Sequence, residues 1–233
     1  MATAEELVDL VKGKILDNGY DDAAILGFLN RGSLEIAAWE NREPALGFIG
    51  NILLDPLQKE WSVTTATDAP YVSLPPDYLK HLFRVTFEGL TLPVEIVSNL
   101  REFLGLHGDV LTRPGPVERV TIGGGRLYYN PVPAEANELR LFGYRKPDVL
   151  VTRDPGEGQS ATPYWLPEHL HYGLLVGYAC KEIFNETEDG VEAGKVNTLR
   201  YEAMFHAALA RLDAGSMHKA KQIQRVPRRA RFF

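Results

Sequence analysis

The stretch Val117-Glu-Arg-Val-Thr-Ile-Gly-Gly-Gly-Arg-Leu-Tyr-Tyr-Asn130 decides the fold class of this chain. β-branched and aromatic residues dominate the two halves, and three consecutive glycines separate them. Because glycine adopts the positive φ angles of a tight turn, the stretch predicts an antiparallel hairpin. A phosphate-binding loop is the alternative, but the Gly-Lys-Ser/Thr ending is missing and a strand follows instead of a helix. The hairpin interpretation is therefore favoured.

Other short β runs lie on both sides of this hairpin. Their alternating β-branched and aromatic residues predict strands at 61–65, 71–74, 82–87, 90–94 and 139–144. Glu88 and Gly89 separate two of these runs, which predicts a second tight hairpin. Together the runs predict a β module at residues 61–150.

The sequence also predicts a short helix within the module and a connection that leaves it. Asn99 and Glu102 have the spacing of an N-terminal capping pair, which predicts a short helix ending near Leu106. Residues 145–164 contain several prolines and glycines and few apolar side chains. They are predicted to form an extended connection out of the module.

Helical periodicity precedes the β module. Thr3 and Glu6 have capping-box spacing, which predicts a helix over residues 4–16. Asp21 and Asp22 favour the start of a second helix. Residues 44–58 predict a loop or a short, irregular helix. One buried face is expected on the second helix, with the stripe Ile25, Leu29, Gly32, Ile36 and Trp39.

Helical periodicity returns after the connection. Pro167 suits the first position of a helix that is apolar on most sides and therefore central. A last helix is predicted over residues 195–214, with Gly215 as its end. One side of this helix carries a narrow stripe of mostly small side chains, which lets a neighbouring backbone approach closely. The stripe consists of Val196, Leu199, Ala203, Ala207, Ala210 and Ala214.

This order of elements predicts the α+β fold class. The N- and C-terminal helices form a helical bundle, an antiparallel β module is inserted between them, and an extended C-terminal arm follows. The corresponding domains are residues 1–60 and 151–215 for the two halves of the bundle, 61–150 for the β module and 216–233 for the arm.

Composition excludes several classes of protein. The chain has 233 residues, 45% of them hydrophobic and 24% charged, which is ordinary for a globular protein. No apolar run approaches the roughly 20 residues of a membrane helix, so no membrane partner is expected. Without a basic leader and with Cys180 as its one cysteine, the chain is expected in the host cytoplasm.

Charge is distributed unevenly along the chain. The net charge is −6, yet the last sixteen residues contain six of the 25 basic side chains and no acid. A segment with so little aliphatic content orders only against a partner, so a docking arm is predicted. Its candidate binding residues are Lys219, Lys221, Arg225, Arg228, Arg229, Arg231, Phe232 and Phe233.

The sequence contains no strong signal for chemistry. Gly-x-Ser-x-Gly, His-Glu-x-x-His and paired Cys-x-x-Cys motifs are missing, so neither catalysis, a cofactor nor a metal is expected. Cys180 is predicted to be a buried thiol with a raised pKa. His169 and His171 are two positions apart and predict one surface residue and one packed ring. An acidic cluster is predicted to be a solvated turn or a charged contact, and consists of Glu182, Glu186, Glu188, Asp189 and Glu192.

Five segments, in one order, resemble the head-to-tail adaptor, or connector, proteins of short-tailed, podovirus-type bacteriophages. Residues 20–31 (Tyr-Asp-Asp-Ala-Ala-Ile-Leu-Gly-Phe-Leu-Asn-Arg) resemble the second-helix signature of that family. Residues 71–78 (Tyr-Val-Ser-Leu-Pro-Pro-Asp-Tyr) resemble its strand that ends in a Leu-Pro-x-Asp turn. The remaining similarities are residues 128–133 (Tyr-Tyr-Asn-Pro-Val-Pro), 139–147 (Leu-Arg-Leu-Phe-Gly-Tyr-Arg-Lys-Pro) and 165–167 (Trp-Leu-Pro).

The resemblance implies a structural virion protein without catalytic residues. Its copies assemble into a ring, usually a dodecamer, in the virion neck beneath the phage portal protein. The ring joins the portal to the tail nozzle or tail tube and surrounds the DNA during genome ejection, while the C-terminal segment reaches the portal. An acidic lumen would repel passing DNA and let it slide. Gly32 departs from the family, which often has alanine there, and the arm matches no fixed pattern.

Two other functions are weighed against the adaptor. A nucleic-acid-binding packaging accessory would use the basic arm directly on DNA, because arginine and lysine suit phosphates equally well. A small hydrolase would need catalytic residues that match no recognised sequence motif. The sequence favours the adaptor over both.

Overall fold

A computed structural model of the chain describes residues 1–15, 19–39, 54–67, 69–88, 93–107, 113–188 and 194–215, and the backbone of the last helix to Gln224. The chain divides into two compact units. The first consists of Met1–Pro56 and Pro147–Phe233, and the second of Leu57–Lys146. Helices lie at both ends and β strands between them, which confirms the predicted α+β class.

The elements follow one another in a simple order. They are α1 (Ala4–Ile15), α2 (Asp22–Ala38), β1 (Gln58–Thr64), β2 (Tyr71–Ser73), β3 (Tyr78–Phe87), β4 (Glu95–Ile96), α3 (Leu100–His107), β5 (Arg119–Gly123), β6 (Arg126–Asn130), β7 (Glu138–Arg145), β8 (Val149–Leu150), β9 (Gln159–Ser160), α4 (Gly177–Thr187) and α5 (Val196–Gln224). A 3₁₀ turn at Asp55–Leu57 precedes β1, and a 3₁₀ turn at Glu168–Leu170 and a π-helical stretch at Tyr172–Val176 precede α4.

The first two helices begin where their caps predict. The backbone N–H of Glu6 donates to Thr3 Oγ1 at 3.2 Å, and the N–H of Thr3 donates to Glu6 Oε2 at 2.8 Å. This reciprocal pair is the predicted capping box. At α2, Asp21 Oδ1 accepts from the N–H of Ala24 at 2.7 Å. The predicted stripe of α2 is buried up to Ile36, whereas Trp39 is half-buried.

The central helix starts differently from the prediction. Pro167 precedes a 3₁₀ turn and a π-helical stretch, and the regular helix α4 begins only at Gly177. Glycine at 173 lets α5 come close, because a Cβ there would lie 2.8 Å from Ala208 Cβ. As predicted, this helical segment is buried on most sides, and both α2 and α5 pack against α4.

The predicted end of the last helix is wrong. Helix α5 continues through Gly215 to Gln224. A glycine costs a helix interior only about 1 kcal/mol relative to alanine, so it ends a helix only where the following residues do not continue it. The segment predicted to be extended from residue 216 therefore begins as helix, and residues 225–233 lie outside the described residues.

The second unit contains two sheets. One has the antiparallel order β1-β7-β3, with β7 in the centre, and the other has the order β2-β6-β5-β4. The predicted hairpin is confirmed as β5-β6, with Gly124 and Gly125 at φ +56° and +76° in its turn. The core of the unit includes Trp61, Val85, Phe87, Val120, Leu127, Tyr129, Leu139 and Leu141.

One strand pair of the second unit departs from the antiparallel prediction. Strand β4 pairs with β5 in parallel, and α3 lies on the connection between them, as a parallel pair requires a crossover. Asn99 Oδ1 accepts from the N–H of Glu102 at 2.8 Å and caps α3 as predicted. The predicted strand at 90–94 is not observed at Pro93 and Val94. Its other residues lie outside the described part, as do the turn at Gly89 and most of the loop at 44–58.

Candidate functional site

The predicted docking residues fall into two groups. Lys219 and Lys221 belong to helix α5, whereas the sequence predicted an extended segment there. The others are outside the described residues, namely Arg225, Arg228, Arg229, Arg231, Phe232 and Phe233. The role of all eight in binding stays a prediction.

Helix α5 presents most of the predicted small-residue stripe away from its own bundle, while Ala210 is half-buried. Its buried side includes Tyr201, Phe205, Leu209 and Leu212. We call the opposite side the outward face of α5. It consists of Val196, Leu199, Arg200, Ala203, Ala207 and Arg211, all of them exposed.

The beginning of α5 is capped by a residue of the acidic cluster. One carboxylate oxygen of Glu188 accepts from the backbone N–H of Asn197 at 3.2 Å and from its Nδ2 at 2.8 Å. The other accepts from the N–H of Thr198 at 3.0 Å and from its Oγ1 at 2.9 Å. The hydrogen bond from the Thr198 backbone is the main cause that lowers the pKa of Glu188. A carboxylate is favourable here because the first N–H groups of a helix have no acceptor within the helix, and because the helix dipole is positive at this end.

Replacing Glu188 with alanine is expected to lower the melting temperature, because two N–H groups at the start of α5 lose their acceptors. Since the pKa of Glu188 is lowered in the folded state, its contribution is full above the ordinary glutamate pKa and is lost as pH falls through the lowered value. Thermal unfolding of Glu188→Ala and wild type across acidic pH measures this. The matched control is Glu157→Ala, in an exposed turn; an equal melting temperature for Glu188→Ala and wild type at neutral pH contradicts the cap.

Other members of the acidic cluster also have local partners. Glu186 Oε2 accepts from the hydroxyl of Tyr20 at 3.0 Å, and Glu182 pairs with Lys181 at 2.9 Å. Asp189 and Glu192 lie outside the described residues. Among the described residues, no group of histidine, cysteine, aspartate or glutamate side chains has the arrangement of a metal site. Glu182, Glu186 and Glu188 are thus engaged within the chain, and the interpretation of the whole cluster as a solvated turn or a charged contact stays a prediction.

The second-helix signature, residues 20–31, holds parts of the helical unit together. The side-chain amide of Asn30 forms two hydrogen bonds with the backbone of Leu150. Its Nδ2 donates to the carbonyl of Leu150 at 3.0 Å, and its Oδ1 accepts from the N–H of Leu150 at 2.7 Å. Strand β8 is thereby fastened to α2. Near the end of the signature, the guanidinium of Arg31 lies 5.3 Å from the centre of the Phe28 ring.

The Leu-Pro-x-Asp turn has a similar structural role in the second unit. Asp77 accepts from Lys59 Nζ at 2.7 Å and from Trp61 Nε1 at 2.8 Å, and its carbonyl accepts from the N–H of Lys146 at 2.7 Å. Partial burial acts to raise the pKa of Asp77, but the hydrogen bonds from Lys59 and Trp61 outweigh it and hold the pKa below its usual value. The turn thus joins β1 to the residue that follows β7.

The motif at residues 128–133 fastens the chain between β1 and β2. The buried hydroxyl of Tyr129 accepts from the N–H of Ala66 at 2.7 Å and lies 3.1 Å and 2.9 Å from the carbonyl oxygens of Ala66 and Ala69. The peptide bond between Asn130 and Pro131 is cis. Tyr129, like Asn30 and Asp77, holds parts of the fold together.

Cys180 and His171 are buried, as predicted. Burial raises the pKa of the Cys180 thiol to about 12, so the reactive thiolate is scarce at neutral pH. His171 is buried, with Nε2 3.1 Å from the carbonyl oxygen of Leu166, and burial lowers its pKa. His169 is exposed. Within the described residues, none of the helices combines the length and apolar character needed to cross a membrane.

Three of the recognisable motifs hold parts of the fold together, through Asn30, Asp77 and Tyr129. The model of the SU10 adaptor protein family matches residues 2–231. The chain therefore belongs to this family, and it is a bacteriophage adaptor protein. No curated protein matches it.

Proposed function

We propose that this protein is the head-to-tail adaptor of a short-tailed bacteriophage. Its copies form a ring, usually a dodecamer in such viruses, in the neck of the virion. The ring joins the portal to the tail nozzle or tail tube and surrounds the channel through which DNA leaves the capsid.

The family match over residues 2–231 carries the proposal. It agrees with the resemblance in five separate segments. Three of those segments contain a residue that holds two parts of the chain in place, namely Asn30, Asp77 and Tyr129. No catalytic role is needed to explain them.

Charge also supports the proposal. All 31 acidic residues precede residue 218, whereas the last sixteen residues are basic. An acidic body repels the phosphate backbone of passing DNA, and a basic arm binds an acidic partner. The arm also favours the second candidate, a packaging accessory that binds DNA through the same residues.

Sedimentation velocity of the purified protein, alone and mixed with purified portal of the same virus, separates the two candidates. We expect the chain to sediment with the portal as one large complex at physiological salt. A chain that ignores the portal, but binds DNA with an affinity that falls steeply with salt, contradicts the adaptor and supports the accessory.

A further inference from the structure

His171 lies at an irregular joint in the helical unit. It stands between the 3₁₀ turn Glu168–Leu170 and the π-helical stretch Tyr172–Val176, just before the regular helix α4. Its side chain is 2% exposed, whereas His169 is on the surface two residues earlier. A 3₁₀ turn has poorer hydrogen-bond geometry than an α-helix, and π-helical turns are often found at functional sites. We call residues 165–176 the joint.

Only one nitrogen of the buried ring has a partner among the described residues. Nε2 lies 3.1 Å from the carbonyl oxygen of Leu166, and because a carbonyl only accepts, Nε2 carries the proton of the neutral ring and donates it. Nδ1 then carries no proton, and nothing in the described part of the chain lies within hydrogen-bonding distance of it. The buried Nε1 of Trp165 likewise has no acceptor there, so acceptors are scarce around the joint.

The surroundings of the ring disfavour its charged form. Burial lowers the pKa of His171, and it outweighs the carbonyl groups of Leu166 and Pro163 and the carboxylate of Glu168, which act to raise that pKa. Glu168 is already engaged, because its Oε1 lies 2.9 Å from the N-terminal ammonium of Met1. That ammonium itself acts to lower the pKa of His171.

The charged side chains on the helices around the joint have other neighbours. On α1, the ammonium of Lys14 lies 6.0 Å from the centre of the Tyr172 ring, next to His171 in the chain. On α2, Glu35 and Arg31 act on the hydroxyl of Tyr178. On α5, burial is the cause that raises the pKa of Asp213. A proton on Nδ1 would therefore create a buried donor and a buried charge, both of which cost free energy without a partner.

We infer that the joint is an acid-sensitive element, which stays closed while the His171 ring is neutral and loosens when Nδ1 takes up a proton. The first helix is attached at the same place, since the N–H of Ala4 donates to the carbonyl of Ala161 at 2.7 Å and Met1 pairs with Glu168. Protonation of the ring thus weakens the start of the central helical segment and its attachment to α1 together. This property belongs to the isolated protomer and does not depend on the adaptor function.

The sign of the pH dependence follows from the lowered pKa. In the unfolded chain His171 takes up its proton near the ordinary histidine pKa, about 6.5, whereas the folded joint takes it up at lower pH. Between these values the unfolded state binds more protons, so the contribution of the neutral ring is full above about pH 6.5 and is lost as pH falls through the lowered value. The unfolding equilibrium constant rises by up to about tenfold for each pH unit in this window.

Urea unfolding of three full-length proteins between about pH 5 and 8 tests the inference. They are the wild type, His171→Gln and the matched control His169→Gln. Glutamine keeps an N–H that can donate to the carbonyl of Leu166, but it does not titrate. As pH falls through the window, we expect the unfolding equilibrium constant of His171→Gln to rise about threefold or more less than that of the wild type and of His169→Gln. An equal rise in all three proteins would overturn the inference.

The histidine rings of the wild type give a second readout that needs no folded variant at position 171. In nuclear magnetic resonance spectra we expect the His171 ring to titrate at lower pH than the His169 ring and to carry its neutral proton on Nε2. The amide signals of Ala4 and of the joint should change with the same midpoint as the His171 ring, while those of the β5-β6 hairpin should not. A His171 ring that titrates at or above the midpoint of His169, or joint amides that ignore its titration, would show that the joint is not acid-sensitive.

Discussion

A chain that ends at Gln224 is expected to fold normally and to lose its binding to portal. The truncation removes Arg225, Arg228, Arg229 and Arg231 together with both C-terminal phenylalanines, and it spares helix α5. Each phenylalanine contributes about 1.5 to 3 kcal/mol if it is fully buried in a partner. Because a ring presents many arms at once, the losses multiply over the assembly. Sedimentation with purified portal measures the effect.

Two further variants separate the contribution of the arginine charges to portal binding from that of the phenylalanine side chains. Changing Arg228 and Arg229 to glutamine is expected to weaken binding mainly at low salt, where unscreened charges act most strongly. Changing Phe232 and Phe233 to serine is expected to weaken binding at all salt concentrations, because apolar burial does not depend on screening. An unchanged melting temperature shows that the body is intact. If the chain that ends at Gln224 joins portal like the full chain at physiological salt, the arm is not the anchor.

Replacing Gly32 with leucine is expected to destabilise the protein by at least about 1 to 3 kcal/mol, the usual cost of overpacking a core. A Cβ at this position of α2 would lie 2.7 Å from Tyr178 Cδ1 and 2.9 Å from Cγ. Tyr178 cannot easily move, because its ring is buried and lies 5.5 Å from the ring of Phe205. This contact explains why α2 has glycine at this position.

The same helix offers the matched control. Gly27 is exposed, and a Cβ there would meet no atom within 4 Å. Gly27→Ala is therefore expected to stabilise the protein by about 0.5 to 1 kcal/mol, through the higher helix propensity of alanine. Urea unfolding of both variants measures the difference in free energy. A Gly32→Leu variant as stable as wild type would show that α2 and α4 are not packed as described.

The features that sequence predicted well are local ones. Thr3 with Glu6, and Asn99 with Glu102, are three residues apart, so the spacing alone determines their caps. The hairpin at Gly124 and Gly125 is equally local, because glycine meets the backbone requirement of its turn.

The features that sequence missed depend on distant partners or on context. Glu188 caps a helix that begins eight residues later, so the spacing of the pair is not that of a local capping motif. Gly215 has the residue type of a helix end, but the helix-forming residues after it continue α5. The stripe of small residues on α5 was recognised, yet periodicity cannot tell whether a stripe faces its own bundle or another molecule. The exposed state of Leu199 shows that this part of the stripe does not face its own bundle.

Electron cryomicroscopy of purified virions at the neck tests the adaptor function most directly. We expect density for a closed ring built from this chain, directly below the portal, with residues 225–233 of each copy in contact with portal subunits. Neck density that lacks this polypeptide, or a ring whose C-terminal residues extend into solvent, would contradict the account.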